Sequence, residues 1–380
     1  MSSAQQPIEF IDLKAQYRRL RPEIERRIQT VLEHGRFIMG PEILELESAL
    51  AVFAGSRHAV SCSSGTDALL MSLMAEGVGA GDAVFLPSFT FTATAEVVLL
   101  VGATPVFVDV DERTFNIDVG DLEHRVEETA RAGRLRPRVV VPVDLFGLPA
   151  DYAEIGKLAA RHDLFVLADG AQSFGAAIDK RRVGALAPVT VTSFYPAKPL
   201  GAYGDGGAIF TDDDARAAVL ESIRQHGQGA QRYDVVRVGL NARLDTLQAA
   251  ILLAKLSVLA EEREARERLA VFYDSELSKV VTVPRRVPNT RSAWAQYSIL
   301  LEDRDDVAVT LERQGVPTAI HYPRPMHLQP AYRHYGAGEG SSPVSERLSR
   351  RILSLPMHPY MPDATARRIT DAVRAAVARR

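Results

Sequence analysis

Short apolar runs alternate with longer amphipathic runs between about residues 60 and 211, and this alternation constrains the fold more than any other feature of the chain. The short runs are rich in β-branched residues and almost continuously apolar, as in strands that helices cover on both faces. Alternating strands and helices of this kind favour an α/β fold with a mostly parallel sheet. The predicted strands are Ala83–Pro87, Val106–Val110, Val139–Val143, Leu164–Ala168, Val189–Phe194 and Gly207–Thr211, and the predicted helices are Thr66–Ala75, Thr92–Val101 and Tyr152–Arg161.

The pattern changes after Arg243. Leu244–Leu277 is predicted to form a long helix, and its charged centre, Glu261–Arg268, is interpreted as a solvated helix face. Beyond a Pro-rich stretch near residue 280, a second α/β pattern follows. We therefore expect a large α/β domain over 1–245 that includes an N-terminal helical segment, a linking long helix over 246–280 and a smaller α/β domain over 281–380. The elements predicted for the last domain are the strand Gln296–Leu301, the helix Val307–Gln314, the strand Val316–Ile320 and the helix Ala364–Arg379.

The amino-acid composition limits the classes of binding partner and the cellular compartment that we expect for this protein. The 380 residues carry a formal net charge of −3, which argues against binding to nucleic acid or to an anionic membrane surface. Cys62 is the single cysteine, so an intrachain disulfide and a cysteine-rich metal site are excluded. Met1–Phe10 lacks the features of a signal peptide, and the most apolar stretch, Val97–Val108, is too short to span a membrane. We expect a cytoplasmic protein.

One candidate site lies at the start of a predicted helix, in the sequence SCSSGTDAL (Ser61–Leu69). Gly65 permits a close backbone approach, Thr66 offers a hydroxyl, and the start of the following helix can bind a phosphate. The same residues also suit an ordinary helix cap with Asp67 in the first turn. By itself this motif does not decide between the two interpretations.

Asp169 and Lys198 are the candidate catalytic side chains. Asp169 follows a predicted strand in a Gly-containing turn, where it can hold a cation or a protonated ring nitrogen, or simply cap the turn. Lys198 lies between Pro196 and Pro199 in SFYPAKPLGAYGDGG, a setting that indicates a positioned amine. Burial can lower the pKa of such a lysine and make its amine a nucleophile that forms a Schiff base.

Phe89 and Phe91 follow the strand Ala83–Pro87, and either ring could stack on a flat cofactor or pack in the core. A phosphate site, a stacking ring, an acid and an amine thus follow one another along the chain. Pyridoxal 5′-phosphate requires these four groups. The sequence has no GxxxxGK[ST], HExxH or GxSxG motif and no paired-cysteine spacing. His321 and His327 could bind a metal, but ordinary polar contacts are favoured, and no metal site is predicted.

The sequence resembles the sugar-nucleotide aminotransferases of the DegT type, which have the fold-type-I pyridoxal-phosphate architecture. The resemblance implies a mixed, mostly parallel sheet of seven strands flanked by helices, with a smaller C-terminal domain. It covers nearly the whole chain and rests on IEFIDLKAQ, SGTDAL, PSFTFTATAE, VGATPVFVDVD, FNID, DGAQSFGA, SFYPAKPLGAYGDGG, VGLNARLDTLQAA, GVPTAIHYP and SLPMHPY.

The resemblance assigns roles to individual residues. It implies that Lys198 forms the Schiff base with the cofactor, that Asp169 pairs with the pyridine nitrogen and that Gln172 contacts the ring hydroxyl. Other residues would hold the cofactor or line the sugar-nucleotide pocket. Gly65, Thr66 and Ser193 would bind the phosphate, Asn241 would reach it from a neighbouring subunit, Phe91 would cover the ring, and Arg243, His321 and Tyr322 would line the pocket.

The resemblance also implies a reaction. L-glutamate would donate the amino group, pyridoxamine 5′-phosphate would carry it, and a homodimer with shared active sites would transfer it to a keto sugar. SFYPAKPLG, HYP and SLPMHPY are most similar to the subgroup that aminates C3 of UDP-2-acetamido-2-deoxy-3-oxo-glucuronate for O-antigen sugars of lipopolysaccharide. A dTDP-3-oxo-6-deoxyhexose and a 4-oxo sugar stay open as substrates. A pyridoxal-phosphate protein with a regulatory role and a nicotinamide-dependent oxidoreductase are alternatives of other classes.

Two residues depart from the family pattern. Ser64 stands where asparagine often precedes Gly-Thr-Asp, and Gly170 stands where alanine is common after the aspartate. Both changes are small and remove no catalytic group. Lys198 itself argues against the dehydratase branch, in which histidine replaces the lysine.

Overall fold

A mixed sheet of seven strands forms the centre of the structure. The computed structural model describes residues 7–231 and 233–378; six residues of Met1–Phe10 and the last residue predicted for the closing helix, Arg379, lie outside this range. The strands in chain order are β1 (His58–Cys62), β2 (Asp82–Pro87), β3 (Thr104–Val108), β4 (Arg136–Val140), β5 (Phe165–Asp169), β6 (Ala177–Ile178), β7 (Arg181–Arg182), β8 (Val189–Ser193), β9 (Gly207–Thr211), β10 (Thr290–Arg291), β11 (Tyr297–Leu300) and β12 (Ile352–Leu355).

The seven strands of the central sheet lie in the order β1-β9-β8-β5-β4-β2-β3. Five strands, β3, β2, β4, β5 and β8, run parallel to one another. Strand β9 runs antiparallel to both β8 and β1. In this register Gly207 lies opposite both Cys62 and Ser193, so β1 and β8 end at the same level. The predicted mostly parallel, mixed sheet is confirmed.

Helices cover both faces of this sheet. On one face Leu69 and Val97 pack with Leu220, and on the other Leu122 packs with Ile155. None of the helices in the described residues combines the length and apolar character that a membrane span requires. The helices are α1 (Leu13–His34), α2 (Pro41–Ala54), α3 (Gly65–Ala75), α4 (Ala93–Leu100), α5 (Val119–Ala132), α6 (Tyr152–Arg161), α7 (Asp214–Ile223), α8 (Thr246–Leu256), α9 (Leu259–Leu277), α10 (Arg304–Arg313), α11 (Pro343–Arg351) and α12 (Asp363–Ala378).

The C-terminal part is built on β11 and β12, which pair antiparallel. One face of this pair packs with α10 and α12 through Tyr297, Ile299 and Leu353. On the other face, Leu300 and Ile352 pack against aromatic side chains of the large sheet region. This second contact holds the C-terminal part over the carboxyl ends of the central strands. The domain boundaries at residues 245 and 280 stay a prediction.

Most predicted elements agree with the structure, and the differences have physical reasons. The prediction of a strand over Val316–Ile320 was wrong: only Ala319 forms an isolated bridge, with Ser354, and Pro317 cannot donate a backbone hydrogen bond. The long helix is two helices, α8 and α9. The sequence did not predict strands β1, β6, β7, β10 and β12 or helices α5, α7 and α11.

The interpretation of Glu261–Arg268 as a solvated face was wrong in part. Glu262 and Arg266 are buried. The Glu262 carboxylate accepts hydrogen bonds from Gln16 Nε2 at 2.9 Å and 3.0 Å and from the Tyr360 hydroxyl. Charged residues at helical spacing can therefore belong to a buried polar cluster, because their partners lie far away in the sequence.

Candidate active site

Lys198 lies in a tight turn after β8. Its backbone N–H donates to the Tyr195 carbonyl at 2.8 Å. Gly201 closes the turn, and a Cβ at this position would overlap the Pro196 carbonyl. From helix α8, Lys255 Nζ donates to the Gly201 carbonyl at 2.7 Å. Burial lowers the pKa of the Lys198 amine, which increases the fraction of free amine.

Asp169 is buried at the carboxyl end of β5. Thr94 Oγ1 donates to its Oδ2 at 3.0 Å, and the Ala171 N–H donates to its Oδ1 at 3.1 Å. Burial raises the pKa of this carboxyl group, and these two donors and the positive charge of Lys198 oppose the rise. The structure therefore brings the predicted acid and the predicted amine into one electrostatic site.

A turn after β4 holds Asp169 and Gln172 in place. The Asp144 backbone N–H donates to the Asp169 carbonyl at 3.0 Å, and the Phe146 N–H donates to Gln172 Oε1 at 2.7 Å. The Asp144 carboxylate accepts from Ser173 Oγ at 2.6 Å. This turn was not predicted, because the strand predicted over Val139–Val143 ends later than β4, which ends at Val140.

The predicted phosphate site lies where α3 begins. Gly65 is the first residue of α3, and Ser64 caps the helix by accepting from the Asp67 N–H at 3.0 Å. A Cβ at Gly65 would lie 2.7 Å from Ser193 Cβ, so only glycine permits this approach of α3 to β8. The cap and the phosphate site are compatible, because the first N–H groups of a helix have no partner within it. Thr66, the second helical residue, is partly exposed.

Phe91, Tyr322 and Gln172 form a connected group. Gln172 Nε2 donates to the Tyr322 hydroxyl at 3.4 Å, and the Tyr322 ring lies 6.1 Å from that of Phe91. Phe91 is 52% exposed and can meet a ligand, whereas Phe89 is fully buried. The structure thus assigns Phe89 to the core and leaves Phe91 as the candidate stacking ring.

The two candidate histidines make different polar contacts. His321 Nδ1 lies 2.9 Å from Ser354 Oγ, and burial together with the charge of Lys198 lowers the pKa of the imidazole. His327 is fully buried and contacts Ser88 Oγ at 2.5 Å and Glu346 Oε1 at 3.0 Å. The sequence showed no carboxylate near His327, because Glu346 is distant along the chain.

Asn241 and Arg243 lie together beside the start of α3. The Arg243 guanidinium donates to Asn241 Oδ1, and Asn241 is exposed. The Ser63 N–H donates to the Ala242 carbonyl at 3.1 Å, which attaches this segment to the phosphate site of its own chain. Within residues 7–231 and 233–378, Arg243 Nε is buried without a hydrogen-bond partner.

These groups fit pyridoxal 5′-phosphate. The start of α3 offers N–H donors to a phosphate in a cradle that a Cβ at Gly65 would fill. Asp169 is a buried carboxyl group that accepts hydrogen bonds from two neutral donors, and a protonated ring nitrogen would add a charged donor. Lys198 supplies the amine. Thr94, Asp144 and Ser354 are the site residues that sequence analysis missed; Thr94 lies within the quoted motif PSFTFTATAE, which was the available signal.

We predict that Asp144→Asn changes how stability depends on pH. Burial raises the pKa of Asp144 to about 7, against about 3.9 in an unfolded chain. The folded state therefore binds more protons between about pH 4 and pH 7, and the free energy of unfolding falls by up to about 4 kcal/mol as the pH rises through this window.

Because asparagine does not titrate, the stability of the variant relative to wild type should rise between these pH values, as urea unfolding at both ends of the window would measure. Asp179→Asn, at an exposed aspartate, is the control and should show a nearly constant difference. A constant difference for Asp144→Asn as well would contradict the prediction.

The chain is similar in sequence and fold to known aminotransferases. UDP-2-acetamido-2-deoxy-3-oxo-D-glucuronate aminotransferase of Pseudomonas aeruginosa is 46% identical over 96% of this chain and 99% of its own. The crystal structure of a DegT DnrJ EryC1 StrS aminotransferase from Brucella abortus superimposes with a TM-score of 0.96 at 51% identity, covering 97% of this chain and 99% of that one.

NtdA from Bacillus subtilis, solved with bound cofactor PMP, has a TM-score of 0.90 at 28% identity and covers 99% of this chain and 86% of its own. The family model described as the DegT/DnrJ/EryC1/StrS aminotransferase family matches residues 18–374. With this match over most of its length, and with the fold of pyridoxal-phosphate aminotransferases, the chain belongs to the DegT/DnrJ/EryC1/StrS aminotransferase family.

Proposed function

We propose that this aminotransferase moves the amino group of L-glutamate to C3 of UDP-2-acetamido-2-deoxy-3-oxo-glucuronate. The observation that carries the proposal is the placement of Lys198 beside Asp169, at the sheet edge where the cradle of Gly65 and Ser193 lies. An amine, a buried acid and an anion cradle are the groups that amino transfer by pyridoxal 5′-phosphate requires.

The residues of the site suit the cofactor part by part. Gly65, Thr66 and Ser193 would hold the phosphate, and the covalent attachment would be at Lys198. Three further side chains would fix the ring. Asp169 would bind the ring nitrogen, Gln172 the ring hydroxyl, and Phe91 one face of the ring. When bound, the cofactor supplies an electron sink for the carbon from which a proton is removed.

Lys198 Nζ would carry protons at the reacting carbons. Burial lowers the pKa of this amine, which increases the fraction of free amine, and proton transfer by a positioned base accelerates such steps by about 10²–10⁴-fold. Thr94, Ala171 and the Lys198 charge oppose the effect of burial on the pKa of Asp169, which favours its ionised form. The acid and the base thus keep separate tasks within one site.

The substrate assignment rests on the pocket and on similarity. Arg243, His321 and Tyr322 would line the sugar-nucleotide pocket. Arg243 is suited to a carboxylate or phosphate, and its buried Nε has no partner within the described ranges. The similarity to the Pseudomonas aeruginosa relative favours a UDP-linked 3-oxo uronate. This reaction would serve O-antigen and lipopolysaccharide synthesis in the cytoplasm.

We further propose a homodimer with shared active sites, in which Asn241 reaches the phosphate bound by the neighbouring subunit. Phe37, Ile38 and Val238 are large apolar side chains that are 45%, 47% and 82% exposed in the single chain. Exposed apolar side chains of this kind are typical of a surface that another protein covers. A second copy of this chain would bury them.

We predict that the purified protein, supplied with pyridoxal 5′-phosphate, converts L-glutamate and the UDP-linked 3-oxo uronate to 2-oxoglutarate and the amino sugar in equal amounts. Mass spectrometry of the sugar nucleotide measures the product. A dTDP-3-oxo-6-deoxyhexose and a UDP-linked 4-oxo sugar are the competing substrates, and we expect kcat/KM at least about tenfold lower for them. Cofactor binding without amino transfer to any of these sugars would favour the regulatory alternative.

Lys198→Ala should abolish turnover, with a loss of at least about 10²–10⁴-fold, because both the covalent attachment and the base are removed. Borohydride treatment of the wild-type protein with pyridoxal 5′-phosphate should leave the cofactor on the peptide that contains Lys198. Lys180→Ala, at an exposed lysine, is the matched control and should retain activity and labelling. Labelling of a different lysine would refute the assignment independently of any substrate.

Mixing two inactive variants tests the shared site. Lys198→Ala and Asn241→Ala chains, unfolded and refolded together, should regain about a quarter of wild-type activity, since half of the dimers are mixed and each has one intact site. If Asn241 instead served the phosphate site of its own chain, to which the Ser63–Ala242 hydrogen bond attaches it, mixing would restore nothing. Sedimentation measures the dimer directly.

A further inference from the structure

Two buried serines lie next to apolar side chains on one face of the β11–β12 pair. Ser298 on β11 and Ser354 on β12 are directly opposite each other, 1% and 0% exposed, with their hydroxyl oxygens 2.8 Å apart. Residues two positions apart on a strand share a face, so this is also the face of Leu300 and Ile352. Those two side chains pack against the large sheet region. A hydroxyl pair in such an interface requires partners for its protons.

The serine pair contacts His321, which faces the candidate active site. Ser354 Oγ lies 2.9 Å from His321 Nδ1. Lys198 is close enough for its charge to act on the imidazole, and burial and that charge both lower the pKa of His321. The imidazole is therefore neutral near pH 7 and carries one proton, on either Nδ1 or Nε2. Nε2 has no hydrogen-bond partner in the described part of the chain.

The acceptors available to the serine hydroxyl protons decide which nitrogen of His321 carries the imidazole proton. Ser354 Oγ is the only hydrogen-bond partner of Ser298 Oγ in the described residues. If Ser298 donates to Ser354, then Ser354 donates its own proton to His321 Nδ1, and every hydroxyl proton has an acceptor. The reverse order would leave the Ser298 proton without an acceptor among the described residues, and an unpaired buried hydroxyl proton is unfavourable.

We propose that Ser298 and Ser354 are positioning residues that hold His321 as the neutral tautomer with its proton on Nε2. In this state His321 offers an N–H donor to the active site and cannot act there as a base. Its ligand would be an oxygen acceptor of the substrate, such as a carboxylate or carbonyl oxygen. The identity of that oxygen rests on the proposed function, whereas the tautomer does not.

The competing arrangement involves a neighbouring cavity of about 40 Å³ that Ser298 and Gln296 line. This volume exceeds the roughly 10–15 Å³ that one water molecule needs. A water there could accept the Ser298 proton, which would reverse the chain of donors and place the imidazole proton on Nδ1. The two arrangements thus differ in which ring nitrogen of His321 carries the proton, and this can be measured.

Nitrogen-15 NMR of the ligand-free protein, labelled at histidine and held near pH 8, tests the proposal. His321→Gln identifies the signals of His321. We expect Nε2 to resonate as the protonated nitrogen and Nδ1 as the unprotonated one. Protonation of Nδ1 in the wild-type protein would overturn the proposal, whatever substrate the enzyme uses.

Ser354→Ala should shift this tautomer balance, whereas Ser354→Thr, which keeps a hydroxyl, should restore it. With the keto sugar as substrate, Ser354→Ala should lower kcat/KM by about two- to tenfold, the range expected for one hydrogen bond, and leave kcat/KM for glutamate unchanged. Ser349→Ala, which removes another buried hydroxyl of the C-terminal part, is the control and should change neither NMR signal nor kinetics.

If Ser354→Ala fails to fold, Ser298→Ala provides the second variant, because it removes the donor that fixes the direction of the chain. It should give a mixture of the two tautomers. An unchanged His321 tautomer in Ser298→Ala would then refute the positioning role by itself.

Discussion

The pairing of β9 with both β8 and β1 is the constraint on which the site depends. Gly207 lies opposite Cys62 on one side and Ser193 on the other, so the ends of two strands that are distant in sequence stop at one level. A Cβ at Gly207 would lie 2.5 Å from the Ser64 carbonyl oxygen. The missing side chain lets α3 begin beside β8, and the anion cradle follows from this approach.

Burial acts in opposite directions on the two central charges. It raises the pKa of Asp169 and lowers that of Lys198, and each group partly offsets the shift of the other. The attraction between the two charges thus limits how far burial shifts the pKa of either group. Thr94 and the turn at Asp144 complete this balance by supplying neutral donors and a fixed backbone.

The C-terminal part closes the site through packing and polar contacts together. Leu300 and Ile352 anchor β11 and β12 on the large sheet region, and the same face holds Ser298 and Ser354 behind His321. The position of one imidazole thus depends on how two parts of the chain pack. This dependence explains why His321 and Tyr322 reach a site whose other predicted residues lie between Gly65 and Arg243.

The sequence alone determined the local features and the family. Short β-branched runs specify strands because their side chains suit a buried sheet, so six of the seven central strands could be predicted. The ordered motifs placed Lys198 and Asp169 after strands and Gly65 at the start of a helix. Only the tertiary structure decided which distant groups meet. Three hydrogen bonds of the site region join residues far apart in the chain: Thr94 with Asp169, Glu346 with His327, and Ser354 with His321. Local sequence carries no signal for such pairs, because their hydrogen bonds depend on strand register and on the packing of the two sheets.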